Sequence, residues 1–302
     1  MSAPRPLRIG VVGLGDIATK AYLPVLAGRP DLEVTLMSRD PDRVAGVQKR
    51  FGIPSGTANL ADLLDAGLDA AFVHASTEAH AELVEALLSA GVDVLVDKPL
   101  APSLAEAARL VELAEARGRS LAVGFNRRHA PVYAALAGLP RSVVVVQKNR
   151  VDLPDEPRRV VFDDFIHVVD TLRFLLPPGE ERIDVRCVVR DGLLRTVTLA
   201  LSSGEVTGLG VMNRVSGSNE EVVEVLGDGH KHRVLDLATV ERHAGGRVEL
   251  VRRGDWTPVP EQRGFRGLCD WFLDAVREGH VLSARDALRT HEICEQVVAA
   301  AR

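Results

Sequence analysis

Apolar residues in the first 120 or so positions fall into short unbroken runs separated by amphipathic stretches. "LRIGVV", "LEVTLM", "DAAFVHAS", "VDVLVDKP" and "SLAVGFN" are dominated by Val, Leu, Ile and Ala, with little alternation of polar and apolar positions. Such runs are expected of strands buried on both faces. Between them, "DIATKAYLPVLAGRP", "DPDRVAGVQKRFG", "ADLLDAG", "EAHAELVEALLSAG" and "SLAEAARLVELAEARG" bring an apolar residue round every three or four positions, which predicts helices. Pro41 stands in a first turn, where a missing N–H costs nothing, and Gly91 and Gly118 stand where helices should stop. Strands alternating with helices through short connections predict a doubly wound parallel sheet over residues 1–122.

Past Asn126 the pattern changes. "RRHAPVYAALAGL" reads as one helical piece, followed by the strand-like "SVVVVQKNRV" and a second helical stretch at 160–176. Then come apolar-alternating runs broken by turns: "IDVRCVVR", "LLRTVTLAL", "EVTGLGVMN", "EVVEVLGDGHKHRVLDL" and "ATVERHAGGRVELVRR". Asp191-Gly192 between two of them is a strong hairpin signal. From Gly264 onward two amphipathic helices close the chain. The expected second domain, 123–302, is therefore α+β, with a large, mostly antiparallel open sheet; helices 264–302 are candidates to pack back on the first domain. The join between the domains is the expected place for a ligand.

A chain of 302 residues with 46% hydrophobic and 26% charged residues suits two soluble domains. The net charge of −5, with no basic block, argues against a nucleic-acid partner. No apolar run approaches the roughly 20 residues of a membrane span, and "MSAPRPLRIG" enters a strand without a leader-like apolar region. Cys187, Cys269 and Cys294 are widely spaced and show no metal-ligand pattern, so free thiols, no metal and a cytoplasmic setting are expected.

The chemistry is carried by four stretches. "IGVVGLGDIA" sets Gly13, Gly15 and Ala18, with Asp16 and Ile17 between, in a G-x-G-x-x-A pattern at the end of a strand and the start of a helix. The first glycine allows the turn, the second admits a pyrophosphate, and the small third residue lets the helix approach the sheet. At the end of the second strand a carboxylate usually takes the ribose of NAD; here Ser38 and Arg39 come first, with Arg43 nearby, a set that would bind a 2′-phosphate. NADP is the expected cofactor. NAD is the alternative, with Asp40 on the ribose. "VLVDKPLAPS" puts Asp97 and Lys98 before Pro99, a candidate cis proline, at the ligand-binding edge of a parallel sheet. Lysine is scarce, with five against 32 arginines, and one at this edge can exchange a proton with substrate. In "VFDDFIHVVDTLRFL", Asp163, His167 and Asp170 are spaced to share one helix face, as a base with its orienting group would be. Taken alone, this trio could equally cap and salt-bridge.

Together these stretches resemble the Gfo/Idh/MocA family of oxidoreductases over nearly the whole chain, including "STEAHAELVEALLSAGVDVLVDKPLA", "VGFNRRHAP", "DDFIHVVDTLRFL" and "SARDALRTHEICEQVV". The family's lysine–proline motif usually follows Glu; here it follows Asp97. The resemblance implies a Rossmann domain followed by an α+β domain whose open sheet forms homodimers or homotetramers. It implies Lys98 and His167 as proton-handling groups, Asp163 as their orienting partner, and a structural Asp170. Ala75, Ser76, Thr77 and His80 would line the cofactor path, with Asp97, Asn126 and Arg127 towards the nicotinamide. Ser38 and Arg43 match a spacing found in NADP-using relatives.

The reaction implied is hydride transfer between NAD(P) and a hydroxyl or carbonyl carbon of a small, sugar-derived substrate. The alternatives are a non-catalytic NAD(P)-binding sensor and a C=N or C=C reductase of the same fold. Phe165 stands where relatives often have glycine, the preceding loop is short, and only 12 residues are aromatic. These departures set a bulkier, less polar, or nucleotide- or carrier-linked substrate beside a simple polyol or hexose as open alternatives.

Overall fold

The computed structural model describes residues 5–179 and 181–302. The chain forms two compact units, Met1–Gly124 with Phe265–Leu288, and Phe125–Gly264 with Arg289–Arg302. The closing helical region thus contributes 265–288 to the first unit and 289–302 to the second.

The first unit is built on β1 (Leu7–Val12), β2 (Leu32–Met37), β3 (Ser55–Thr57), β4 (Ala70–Val73), β5 (Asp93–Val96) and β6 (Leu121–Val123). These strands pair in parallel in the order β3-β2-β1-β4-β5-β6. The order reverses between β1 and β4, and in such sheets ligands bind beyond the carboxyl ends at that point. The continuous apolar runs are explained by burial: β4 is buried at every position and β1 at its last four. Ser-Gly-Thr of β3 carries no apolar residue, which is why the hydrophobic pattern passed over it.

The helices follow their caps. Asp40 accepts from the amides of Asp42 and Arg43 to start Pro41–Phe51, and Gly52 at φ 68° ends it. Ser103 accepts from Glu106 to start Leu104–Arg117, which Gly118 ends. Phe265, Leu268 and Phe272 of the helix Phe265–Glu278 join the core of this sheet. Phe272 meets Phe72 edge-on at 5.3 Å, and each such buried ring contributes roughly 2–3 kcal/mol of transfer free energy.

The second unit is built on β7 (Val143–Asn149), β8 (Glu181–Arg190), β9 (Leu193–Ser203), β10 (Val206–Asn213), β11 (Glu220–Gly227), β12 (His230–Leu235), β13 (Thr239–Ala244) and β14 (Arg247–Arg252). Their order is β14-β13-β12-β11-β7-β10-β9-β8, antiparallel except for β7 and β10. Asp191 and Gly192 take φ of 55° and 76°, as a two-residue hairpin of this hand requires. The helix Ile166–Leu175 lies close on β10. A Cβ on Gly208 would stand 3.0 Å from Leu172, and one on Gly210 2.9 Å from Val168, so only glycine admits the helix there. The piece expected as one helix at 127–139 is instead a 3₁₀ turn, Asn126–His129, and a short helix, Pro131–Ala134. Pro131 forces the preceding Ala130 into an extended conformation and so breaks the run. Among the described residues no helix is long and apolar enough to cross a membrane.

Candidate active site

In the first unit the chain leaves β1 through Gly13 at φ +86°, where a Cβ would lie 2.4 Å from the Ala75 amide nitrogen. The turn is therefore pressed against the chain leaving β4, and a side chain has no room. Nothing lies within 4 Å of a Cβ position on Gly15, so the backbone there is open to approach. Ala18 is fully buried where the following helix meets the sheet. Asp16 and Ile17 face outward; Asp16 pairs with Lys20 at 2.6 Å. Beside this turn is a cleft of about 720 Å³, lined among others by Gly13, Met37, Ser38, Arg39 and Asn59, a size usual for small-molecule sites. An open glycine at a helix start, next to a cleft of this size, fits a dinucleotide.

The charges at the cleft follow from the local bonding. The Asp40 carboxylate is committed to capping its helix, accepting from Asp42 and Arg43 at 3.0 and 3.2 Å. The Ser38 hydroxyl accepts from the Asp40 amide at 3.3 Å, and Arg39 is exposed. The Arg43 guanidinium donates to the Leu14 carbonyl at 3.2 Å, which brings a cation onto the glycine turn.

Lys98 comes just after β5 and is half-buried, and the Lys98–Pro99 peptide is cis, in keeping with the sequence-based expectation. Its two neighbours are tethered. Asp97 accepts from Tyr22 at 3.4 Å and faces the His74 Nδ1 at 3.2 Å. The Pro99 carbonyl lies 2.8 Å from Nδ1 of His80, whose Nε2 lies 3.0 Å from the Ala75 carbonyl. His80 is buried, which pushes its imidazole below the ordinary value, so the ring is neutral at pH 7 and its one N–H serves one carbonyl at a time. It was expected to line the cofactor path. Its two ring nitrogens face the main-chain carbonyls of Pro99 and Ala75. Of its companions, Ser76 is exposed and Ala75 and Thr77 are half-buried at the start of the helix Thr77–Ser89.

Tyr22 and His74 gave no sequence signal, since both sit within apolar segments. Their rings lie 3.9 Å apart beneath the Lys98 turn. Burial, then the Asp97 charge, pushes the Tyr22 hydroxyl well above its usual range, and the buried Nε2 of His74 has no hydrogen-bond partner.

In the second unit Asp163, His167 and Asp170 lie along one helical segment, Val161–Phe165 continuing into Ile166–Leu175. Val161–Phe165 is a π-helical turn, whose wider pitch shifts the phase of the residues after it. Asp163 is 60% exposed, with Arg159 at 3.7 Å. His167 is half-buried, and Asp170 is buried with Arg128 donating to both its oxygens at 2.6–3.0 Å. Phe165, at the position where relatives often have glycine, is fully buried and belongs to the core.

The inward carboxylate is Asp164, which no sequence pattern singled out. Its partners are Lys148 at 2.5 Å, Arg150 at 3.1 Å and Arg214 at 2.7 Å. Burial alone would raise the Asp164 carboxyl, but these cations outweigh it and hold it below the usual range. Lys148, buried and facing Arg127, is pushed down to about 7.

Asn126 and Arg127 were expected beside the nicotinamide. Asn126 is buried and donates to the Arg263 carbonyl at 2.7 Å. Arg127 is buried and grips both oxygens of Glu221 at 2.6 and 2.8 Å. Its Nε and one terminal nitrogen serve this pair.

Comparison with known proteins agrees with this geometry. Residues 7–125 match the family model described as oxidoreductase family, NAD-binding Rossmann fold, and residues 131–245 match the YceM-like C-terminal domain. The chain is 37% identical over 283 residues to the putative oxidoreductase YceM of Salmonella typhimurium, covering 90% of each. It is 32% identical over 290 residues to the myo-inositol dehydrogenase Hyg17 of Streptomyces leeuwenhoekii, covering 90% of this chain and 85% of that one. The crystal structure of a Gfo/Idh/MocA family oxidoreductase from Vibrio cholerae superposes with a TM-score of 0.91 at 32% identity, over 97% of this chain and 98% of that one. The chain belongs to the Gfo/Idh/MocA family of NAD(P)-dependent oxidoreductases.

Proposed function

We propose that this enzyme interconverts a hydroxyl and a carbonyl on a small, sugar-derived substrate, with NADP as the preferred cofactor and Lys98 and His167 handling the proton. The observation that carries the reading is the tethered Lys98 turn: Asp97 is held by Tyr22 and His74, and Pro99 by His80, on either side of the lysine. A lysine so positioned at the carboxyl edge of a doubly wound sheet suits a proton donor or acceptor. The nicotinamide supplies a hydride acceptor or donor. Loss of a hydride from a carbinol carbon requires its hydroxyl proton to leave as well, and Lys98 and His167 take that proton or return it.

Gly13, Gly15, Ser38, Arg39 and Arg43 would hold the dinucleotide. The preference for NADP is supported by the engagement of Asp40 as a helix cap, which leaves Ser38, Arg39 and Arg43 to meet a 2′-phosphate. A polyol-derived substrate is supported by the likeness to a myo-inositol dehydrogenase. Self-association through the open sheet is part of the proposal, supported by the exposure of Leu209, which lies between the two glycines that face the helix.

The test is titration with NADPH and with NADH, followed by turnover of the Lys98→Ala variant. Tight NADPH binding, weak NADH binding and a loss of about 10²-fold or more in turnover are expected on the scale of general acid–base catalysis. Equal turnover by Lys98→Ala and the parent on the same substrate would remove Lys98 from the mechanism. A preference for NADH would remove the phosphate argument.

A further inference from the structure

Around Asp164 the second unit gathers three basic side chains on one carboxylate. Lys148 lies near the end of β7, Arg150 just beyond it, and Arg214 just beyond β10, the parallel neighbour of β7. All three converge on the one carboxylate, at 2.5, 3.1 and 2.7 Å. The next charges that Lys148 feels are those of Arg127 and Glu221, which saturate each other in a two-point pair, with Tyr133 also on Glu221. Three cations thus converge on Asp164, with Asp155 also acting on Arg214.

A cluster that served only to anchor the helix would need one cation, or two, for Asp164. Lys148 and Arg214 are instead 5% and 7% exposed, where surplus charge is costly unless something compensates it. Lys148 has three donor positions and meets a single carboxylate, while Arg150, 26% exposed, brings the cluster to the surface. We propose that Lys148, Arg150 and Arg214 form a subsite for an anionic group, a carboxylate or a phosphate, carried by the substrate. The proposal rests on the oxidoreductase reading above and narrows its substrate class to acidic or phosphorylated compounds. Asp164 lies three residues before His167 on one helical segment, so an anion held here belongs to the molecule whose proton His167 moves. Asp164 becomes the positioning residue that holds the three cations at one point.

The test uses inorganic phosphate and malonate as probes, at ionic strength held constant with sodium chloride, with and without saturating NADPH. NADPH occupies the cleft near Arg39 and Arg43, so anions bound there drop out of the comparison. Saturable stabilisation of the NADPH-bound protein by one probe is expected, weakened about tenfold or more in Arg150→Ala, the scale of one charge-assisted hydrogen bond. Phosphate alone would indicate a phosphorylated substrate, and malonate alone an acid. Lys148→Gln serves as a second variant, and unchanged NADPH affinity certifies that each variant is folded. No saturable effect beyond chloride, or equal affinity in Arg150→Ala and the parent, overturns the subsite while leaving the cofactor reading intact. Failure to bind NADPH at all overturns the cofactor reading instead, and the anion titration without NADPH then judges the subsite by itself.

Discussion

Replacing Glu221 by glutamine tests the electrostatics of the second unit most directly. Glu221 accepts from Arg127 at two points and from Tyr133 at 3.2 Å, and its side chain is 12% exposed. Burial would raise its carboxyl, but Arg127 overcomes burial and holds it at about 2, against an ordinary 4.5. At about 1.4 kcal/mol per pH unit that depression corresponds to about 3 kcal/mol of stability. Because the folded value lies below the unfolded one, this stability is fully present above about pH 4.5 and is lost as the pH falls towards 2. Glutamine keeps the shape and removes the charge, leaving the Arg127 guanidinium buried without its counterion, a change that costs about 3–5 kcal/mol in comparable pairs. For a unit of this size the midpoint of thermal unfolding should fall by roughly 6–20 °C at pH 7. Calorimetry of the parent and Glu221→Gln between pH 7 and pH 2.5 measures both effects. A drop below about 2 °C at pH 7, or an unchanged acid sensitivity in the variant, would refute the reasoning. A double variant, Arg127→Met with Glu221→Leu, should recover much of the loss, since it removes both buried charges together.

Two further predictions concern the first unit. Gly13→Ala should destabilise by about 2 kcal/mol or more, because its Cβ meets backbone at positive φ. Gly15→Ala, with open space before it, should melt within about 1 kcal/mol of the parent yet lose dinucleotide affinity about tenfold or more. Melting curves and NADPH titrations separate the two, and equal behaviour of both variants would sink the assignment of their roles. His80→Phe should remove the link between the Pro99 and Ala75 carbonyls at a cost of about 1–3 kcal/mol. With the Lys98 turn loosened, kcat should fall well beyond any change in NADPH affinity; a matching fall in both would make His80 a cofactor contact after all.

Much of the first unit was legible because parallel strands buried on both faces leave apolar runs that nothing else in the chain imitates. Gly13, Gly15 and Ala18 were readable for a related reason: a strand end, a turn without side chains and a helix start coincide within a few residues. Pro99 could be singled out as a candidate cis proline, which it is. What escaped were contacts between residues far apart in sequence. Arg127 and Glu221 are 94 positions apart and Arg214 and Asp164 are 50 apart, and no local period links them. His74 and Tyr22 hid for the opposite reason, since each lies in an apolar stretch where a polar atom reads as an interruption of the core. The single helix expected at 127–139 failed at Pro131, a breaker visible in the sequence but outweighed by the apolar spacing around it.

The adjacent pair Asp163-Asp164 shows where motif spacing and environment part. Counting back four residues from His167 selects Asp163, and two neighbouring aspartates differ in nothing that composition or period can register. The π-helical turn decides between them, leaving Asp163 60% exposed and turning Asp164 to Lys148, Arg150 and Arg214. A carboxylate held below its usual range by three cations is a weaker proton acceptor than a free one, which favours a positioning role for Asp164. In the proposed reaction, proton handling therefore falls to Lys98 and His167, and Asp164 acts through the cations it positions. Asp164→Asn separates these roles. It should scatter the anion-binding side chains and weaken phosphate or malonate binding, while the pH dependence of turnover set by Lys98 and His167 keeps its shape. A displaced pH profile with anion affinity unchanged would mean that Asp164 takes part in the proton transfer itself.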